Sequence, residues 1–495
     1  MPSFTGHPLV DVVDVGLATI TAFAGKTRPE DLSEQDYDAI ADYMAQNYVV
    51  NPLKSFLTVA FPNSGFTQPA FEKTPERREA YAERVLRGYR RRTPALSGER
   101  CVFTGLPPIG LALDDKNKLP PGRAFRQHIP MVTGEDVINF HPYGDAGIPV
   151  SGIALLAIQA FPLGCSKVAG KLLAVHSDDE DLMVCFAKRF LQANRKHILA
   201  AQAAELKKLP EPTHRVGTLL VGSLLEIEDE RLATGRDPEI PASVTAYHLS
   251  NSGQGVDLSI YHLPLEVGGF LRLALTPRYR QQWDKIRQRG WEIVAARKKA
   301  KKGSAEPEPP SYNTLYEDLL RLPDNTSVFI RTYFLRTPQR TRRPGDPRAE
   351  YSIRGETDLI SWPLTEQFLR KVVLMDQVRI NHIRTLGDRL AHYVKEENDR
   401  RFFHTFLTTN RYTDLRLALI KAGHARVRKG QAPLITFDQF IAVFEQGENL
   451  PQQDWRFARD LVLIRMIEQL YQSGWVKEHA DELGEVEDSA EAINS

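Results

Sequence analysis

Cysteine is nearly missing from this chain: three occur in 495 residues, Cys101, Cys165 and Cys185. So sparse and odd a set excludes a disulfide-built secreted scaffold, and a reducing, cytoplasmic setting is expected. None of the three belongs to a C-x2–4-C pair, the usual spacing of structural zinc, so they are expected to be buried thiols and no metal is expected. Long apolar runs are missing as well. The stretches 153–163 and 461–467 fall short of the roughly 18 to 20 residues that cross a bilayer. The first residues carry Asp11 and Asp14 and no basic lead into an apolar core, so neither a membrane partner nor a signal peptide is expected. Net charge is also missing, since 64 Lys and Arg face 63 Asp and Glu. Any affinity for a polyanion must come from uneven placement of charge.

Enzyme signatures are absent too. There is no phosphate-cradling G-x-x-x-x-G-K, no dinucleotide fingerprint, no H-E-x-x-H and no G-x-S-x-G, so neither a catalytic centre nor a cofactor is expected. The best rival is His176 followed by Asp178, Asp179, Glu180 and Asp181, a cluster able to hold a divalent cation for phosphodiester cleavage. The same acids also suit the positive end of a helix, which is the more ordinary use.

What is present reads as an α+β protein. Ser33 to Asp36 resembles a capping box, and Tyr37, Ile40, Met44 and Tyr48 follow at helical spacing. Thr74-Pro75 opens a second helix expected to run through Arg92. Residues 101–152 are rich in Gly and Pro and suit loops with short strands. Residues 171–175 suit a strand, and 244–263 suit a β-hairpin. Beyond Trp362 apolar residues keep three- and four-residue spacing, as in a helical bundle. The expected organisation is a mixed region 1–300, a linker 301–311, a basic connection 312–361, a bundle 362–476 and an acidic tail 477–495.

Three segments mix arginine with aromatic rings. Arg77, Arg78, Arg84, Arg87, Arg90, Arg91 and Arg92 surround Tyr81 and Tyr89; Arg331, Arg336, Arg340, Arg342 and Arg343 surround Tyr333 and Phe334; and 278–302 is strongly basic around Trp283 and Trp291. Guanidinium forks suit phosphate oxygens and rings can stack on bases, so nucleic acid is the expected partner. A solvated helix face or a protein-interaction scaffold uses the same residues. The loop 63–68 is expected to be exposed, with Asn63 and Gln68 able to pair with base edges and Gly65 allowing close backbone approach. Arg123, Arg126 and Gln127 offer donors on another flexible segment.

Several blocks together resemble the large subunit of type I-B CRISPR Cascade complexes: Thr5-Gly6-His7-Pro8-Leu9, Gly16 to Gly25, Phe61-Pro62-Asn63-Ser64, Phe66-Thr67-Gln68-Pro69, Arg126 to Pro130, Gln159 to Cys165, and Leu315 to Arg336. The resemblance spans about Thr5 to Arg336. It implies a non-catalytic subunit at the 5′ end of a guide RNA that reads the short motif beside the target DNA and helps open the duplex. Its implied partners are guide RNA, target DNA, the backbone and 5′-end subunits, and a helicase-nuclease or transposition adaptor. Guide pairing reads the sequence in such machines while protein reads the motif. On this basis Asn63, Ser64, Thr67 and Gln68 are the candidate motif readers. Lys54, Arg87, Arg90, Arg123, Arg126, Gln127, Arg331 and Arg336 are the candidate contacts to DNA or guide RNA. The family's paired cysteines have no counterpart at Cys101 and Cys165. The helical part resembles a Cascade small subunit, and an internal start at Met375 would give the 121 residues 375–495.

Overall fold

The computed structural model describes residues 8–90, 98–114, 119–132, 146–236, 241–251, 255–294, 309–445 and 455–479. It forms two compact units, Met1–Leu265 and Glu266–Ser495.

Unit 1 contains α1 (Pro8–Phe23), α2 (Glu34–Asn47), α3 (Pro75–Leu86), α4 (Gly152–Ala160), β1 (Ser166–Val168), β2 (Lys171–Ser177), α5 (Glu180–Ala203), α6 (Val216–Ala233), β3 (Val244–Ser250) and β4 (Asp257–Leu263). These four strands form an antiparallel sheet in the order β1-β2-β3-β4, and Arg123–Ala124 pairs with Ile148–Pro149 in a separate two-stranded one. The α+β class is thus what the chain adopts. Central to this unit is α1, whose Val12, Val13, Val15, Ala18 and Ile20 are all buried. It packs on α4, α5 and β2. A helix apolar on nearly every side is stable only when wrapped in this way. Gly16 sets the approach to α4, because a Cβ there would lie 2.1 Å from the Ala157 carbonyl oxygen.

Local signals explain several boundaries. Ser33 and Asp36 form the expected capping box of α2, and β3 pairs with β4 as the expected hairpin. The second helix is shorter than expected: α3 stops at Leu86 and a 3-10 turn covers Gly88–Arg90. The cause is packing. Gly152 lies against Tyr89, where a Cβ would be 2.5 Å from the Tyr89 nitrogen, and the chain must turn there. Arg91 and Arg92 lie outside the described residues.

Unit 2 contains α7 (Leu265–Ala274), α8 (Pro277–Arg289), α9 (Trp362–Lys371), α10 (Gln377–Glu397), α11 (Arg400–Thr408), α12 (Tyr412–Arg428), α13 (Phe437–Phe444) and α14 (Trp455–Gln472), with short helical turns between 314 and 359. Helix α14 is its axis, buried at Leu461, Val462, Leu463, Ile464, Met466, Ile467 and Leu470. The division of the chain falls after the hairpin and not in the expected 301–311 linker, of which 301–308 lie outside the described residues. The reason is the basic helix α8. It buries Tyr279, Trp283 and Ile286, with Trp283 edge-on to Phe270, and Phe270 in turn meets Phe334 and Phe368. Trp283 is therefore core and not a platform for a base.

Candidate nucleic-acid interface

The arginines that close α3, Arg87 at its C-cap and Arg90 in the following 3-10 turn, face carboxylates supplied by α2. Arg87 pairs with Asp42 at 2.5 Å and with Glu83 at 3.1 Å, while Arg90 pairs with Asp38 at 2.6 Å. These hydrogen bonds raise both guanidinium pKa values. Lys54 likewise pairs with Glu72 at 2.9 Å. The rings are engaged too. Tyr81 is fully buried among Phe66, Phe71 and His128, and Tyr89 donates its hydroxyl to Asp38. A groove of about 630 Å³ does run beside α3, but Glu76, Glu79 and Glu83 line it together with Arg78 and Arg87. Phosphate meets mixed charge there, not a basic stripe.

The expected exposure of loop 63–68 is corrected. Ser64, Gly65, Phe66 and Thr67 are buried. Ser64 Oγ lies 3.2 Å from the Tyr81 hydroxyl and accepts from the Phe66 amide. Thr67 donates to the Phe61 carbonyl at 2.6 Å, and Gln68 donates to the Pro62 carbonyl at 2.7 Å. Gly65 permits this closure, since a Cβ would lie 2.5 Å from the Tyr81 ring. The glycine thus serves ring packing, and Ser64 and Thr67 hold the loop. Half-buried Asn63 alone of the four candidates makes no side-chain hydrogen bond among the described residues.

Two more candidates are internal. Arg123 is 3% exposed, pairs with Glu99 and donates to the carbonyls of Ala146 and Gly147 at 3.1 and 3.3 Å. Arg336 is fully buried, pairs with Glu356 at 2.8 Å and stacks 3.6 Å from the centre of the Tyr351 ring. Neither can reach a phosphate in this fold. Tyr333 and Phe334 are buried beside it, so the rings of this second arginine-aromatic segment are core, while its Arg340 and Arg342 are exposed. Arg331 is partly exposed, 4.0 Å from Asp460. Arg126 is exposed, while Gln127 is half-buried and its carbonyl accepts from the Tyr81 hydroxyl.

An open basic surface lies elsewhere, on α12 of unit 2. Over residues 411–430 the chain carries Arg411, Arg416, Lys421, Arg426, Arg428 and Lys429 against Asp414 alone. Arg426 and Lys429 pair with Glu396 and Glu397 of α10. Arg411, Arg416, Lys421 and Arg428 are exposed and have no carboxylate partner among the described residues. Leu415, Leu419 and Ala422 bury the opposite face, which fixes the direction in which the charges point. Beside α12 an open groove of about 490 Å³ is lined by Arg401, Phe402, Thr405, Leu417 and Lys421, with Asp399 and Asp414. The sequence hides this helix because most of its basic residues are spaced three to five positions apart among aliphatic ones, with Tyr412 its single Phe, Tyr or Trp.

The acidic cluster of the rival reading is occupied. Asp178 accepts from the Ser243 hydroxyl at 2.6 Å. Asp179 caps α5 through the Leu182 amide at 3.1 Å and pairs with buried Arg231 at 2.5 Å, and Asp181 joins the same guanidinium at 3.2 Å. His176 turns to α1 instead, with Nε2 3.5 Å from Asp14 Oδ2 and 3.9 Å from Asp11 Oδ1. Burial opposes its charge, but Asp14, Asp11 and Asp178 prevail and hold its pKa above the ordinary value. Cys165 is buried and donates to the Phe161 carbonyl at 3.2 Å, and burial pushes its thiol pKa well up. No helix among the described residues is long and apolar enough to cross a membrane. Compared with protein-family models, curated proteins and solved structures, the chain finds no match.

Proposed function

We propose that this chain is a non-catalytic nucleic-acid-binding subunit of an RNA-guided surveillance complex, of the large-subunit kind it resembles. The observation that carries the reading is α12: three exposed cations, Arg416, Lys421 and Arg428, with Arg411 at the N-cap, have no carboxylate partner among the described residues, on a helix whose other face is buried. Such a surface attracts phosphate and releases counterions on binding, whichever bases are present. Arg126 and Arg331 remain secondary contacts. Guide RNA and target duplex are the ligands of this proposal, and a recruited helicase-nuclease or transposition factor supplies any cutting or insertion.

Motif reading narrows to Asn63, with Gln68 beside it, because an amide can both donate to and accept from a base edge. A small subunit begun at Met375 would open at Asp376, the N-cap of α10, but would lack α9, whose Trp362 amide donates to buried Glu468 at 3.0 Å. Replacing Met375 by Leu is expected to remove a short C-terminal product from expression gels; an unchanged band pattern rejects that product.

The test of the main proposal is direct binding of the purified full chain to labelled RNA and duplex DNA, followed by selection from randomised duplexes. Binding that falls with salt and enriches a short motif, the enrichment vanishing in Asn63→Ala, is the expected result. Absence of binding to both nucleic acids rejects the proposal. A protein-interaction scaffold draws on Leu417, Ile420 and Val427, each more than 40% exposed on the same helix. It gains if their replacement by Ser releases protein partners while nucleic-acid affinity stays unchanged.

A further inference from the structure

Helix α1 brings two carboxylates one turn apart onto the face that meets β2, where the strand presents His176. Asp11 and His176 are buried, at 2% and 7% exposure. One ligand atom from each of Asp11, Asp14 and His176 lies within 4.8 Å of the other two. Within that set His176 Nε2 is 3.9 Å from Asp11 Oδ1 and 3.5 Å from Asp14 Oδ2.

The second observation concerns the Asp11 carboxylate itself. Its Oδ2 accepts the hydroxyl of Tyr247, reaching in from β3. Its Oδ1 is buried, faces His176 and accepts no hydrogen bond among the described residues. A carboxylate oxygen taken out of water with no donor is costly. A hydrogen bond that fixes one oxygen while the other points into a cluster of donor atoms is the usual second layer of a metal site.

Distances and donor types fit a small divalent ion. Tetrahedral zinc with bonds of about 2.0 Å holds neighbouring ligand atoms about 3.3 Å apart, so the 3.5 and 3.9 Å separations from His176 need only a slight contraction, and the two carboxylates, within 4.8 Å, close by a side-chain rotation. Two carboxylates balance the ion's charge with a neutral imidazole. One nitrogen and two oxygens favour zinc and its transition-metal neighbours over magnesium, which demands an octahedral shell of oxygens. Asp14 is the most accessible of the three, its side chain 20% exposed.

We propose that Asp11, Asp14 and His176 bind one zinc-class divalent cation that ties α1 to the sheet of unit 1. This departs from the expectation of no metal, which rested on the cysteines, and it is independent of the nucleic-acid reading. The cation takes its ligands from residues more than 160 positions apart, so its effect is to staple the N-terminal helix to the central strand.

The test uses the full chain, stripped with a chelator and dialysed, then titrated with zinc chloride alone. The expected result is one zinc retained per chain after desalting, a raised melting temperature, and visible ligand-field bands when cobalt replaces zinc. Asp14→Asn, at the partly exposed ligand, should weaken zinc binding at least about tenfold, and His176→Gln should remove the cobalt bands. Excess magnesium should not displace the zinc. If the wild-type chain retains no zinc, His176 is a proton-bearing partner of the two aspartates and the proposal fails. Unchanged stoichiometry and affinity in Asp14→Asn also overturn it, because the ion is then held elsewhere. Should His176→Gln not fold, the wild-type stoichiometry and Asp14→Asn still decide. Displacement by magnesium would overturn the assignment of ion class.

Discussion

The arginines that close α3 and the cations of α12 differ in company: Arg87 and Arg90 have carboxylate partners, and several cations of α12 have none among the described residues. Arg87 and Arg90 meet Asp42 and Asp38 from the neighbouring α2. Arg416, Lys421 and Arg428 meet no such neighbour among the described residues. The α3 arginines stand beside buried tyrosine in the sequence, and the α12 residues stand beside aliphatic ones. The difference teaches that arginine density with interleaved rings is a poor guide to an available positive surface. What matters is whether the adjoining element supplies carboxylates, and that is a property of packing. A cation already paired with a carboxylate has its charge locally offset, whereas solvated single cations remain able to attract a polyanion.

The largest effect is expected where a paired arginine is most deeply enclosed. Arg336→Ala leaves Glu356 short of one buried partner and empties the place beside Tyr351, so unit 2 should lose about 3 kcal/mol of stability, read by denaturant or thermal unfolding. A change under about 0.5 kcal/mol, the range of ordinary surface substitutions, would place Arg336 among the solvated residues after all. Next in size is charge reversal on α12. Arg416→Glu, Lys421→Glu and Arg428→Glu combined should lower affinity for RNA and duplex DNA by more than about tenfold, measured by fluorescence anisotropy, with the melting temperature little altered. Equal loss from reversing Arg87 and Arg90 would erase the contrast between the two helices.

A smaller effect is expected at α3 itself. Arg87→Ala with Arg90→Ala should leave the melting temperature little altered, as loss of exposed pairs does, and nucleic-acid affinity within about twofold, below the loss expected from phosphate contacts. The smallest effect concerns acid. Hydrogen bonds from Lys26 and Ser33 hold Asp36 of α2 down at about 2, from an ordinary 3.8. A lowered folded-state value means that this contribution is complete above the ordinary value and is lost as the pH falls toward about 2. Asp36→Asn should therefore flatten the acid side of the stability profile in that window. An unchanged profile would show that Asp36 gains nothing from its partners.

Where the fold was legible, the signal was local. The capping box at Ser33, the hairpin 244–263 and the helical periodicity after Trp362 each depend on residues a few positions apart, and each is present. Loop 63–68 misled because Asn, Ser and Gly mark a turn equally well whether solvent or Tyr81 lies beside it. Tyr81 shares one face of α3 with Ala82, Val85 and Leu86, all buried, and that helical stripe was the better indication of its direction. Arg336 stood within an apolar run, which burial explains and a phosphate contact does not. Asp11 and Asp14 were read only as early acids, since their partner His176 is far away in the chain and meets them only through the packing of α1 on β2.

The comparison between α3 and α12 is tested most directly by the salt dependence of duplex binding. Each phosphate contact contributes about −0.9 to the slope of log affinity against log salt. The three reversals on α12 should make that slope shallower by at least about 2, whereas Arg87→Ala with Arg90→Ala should leave it unchanged. A slope altered by the α3 pair and untouched by α12 would contradict the account.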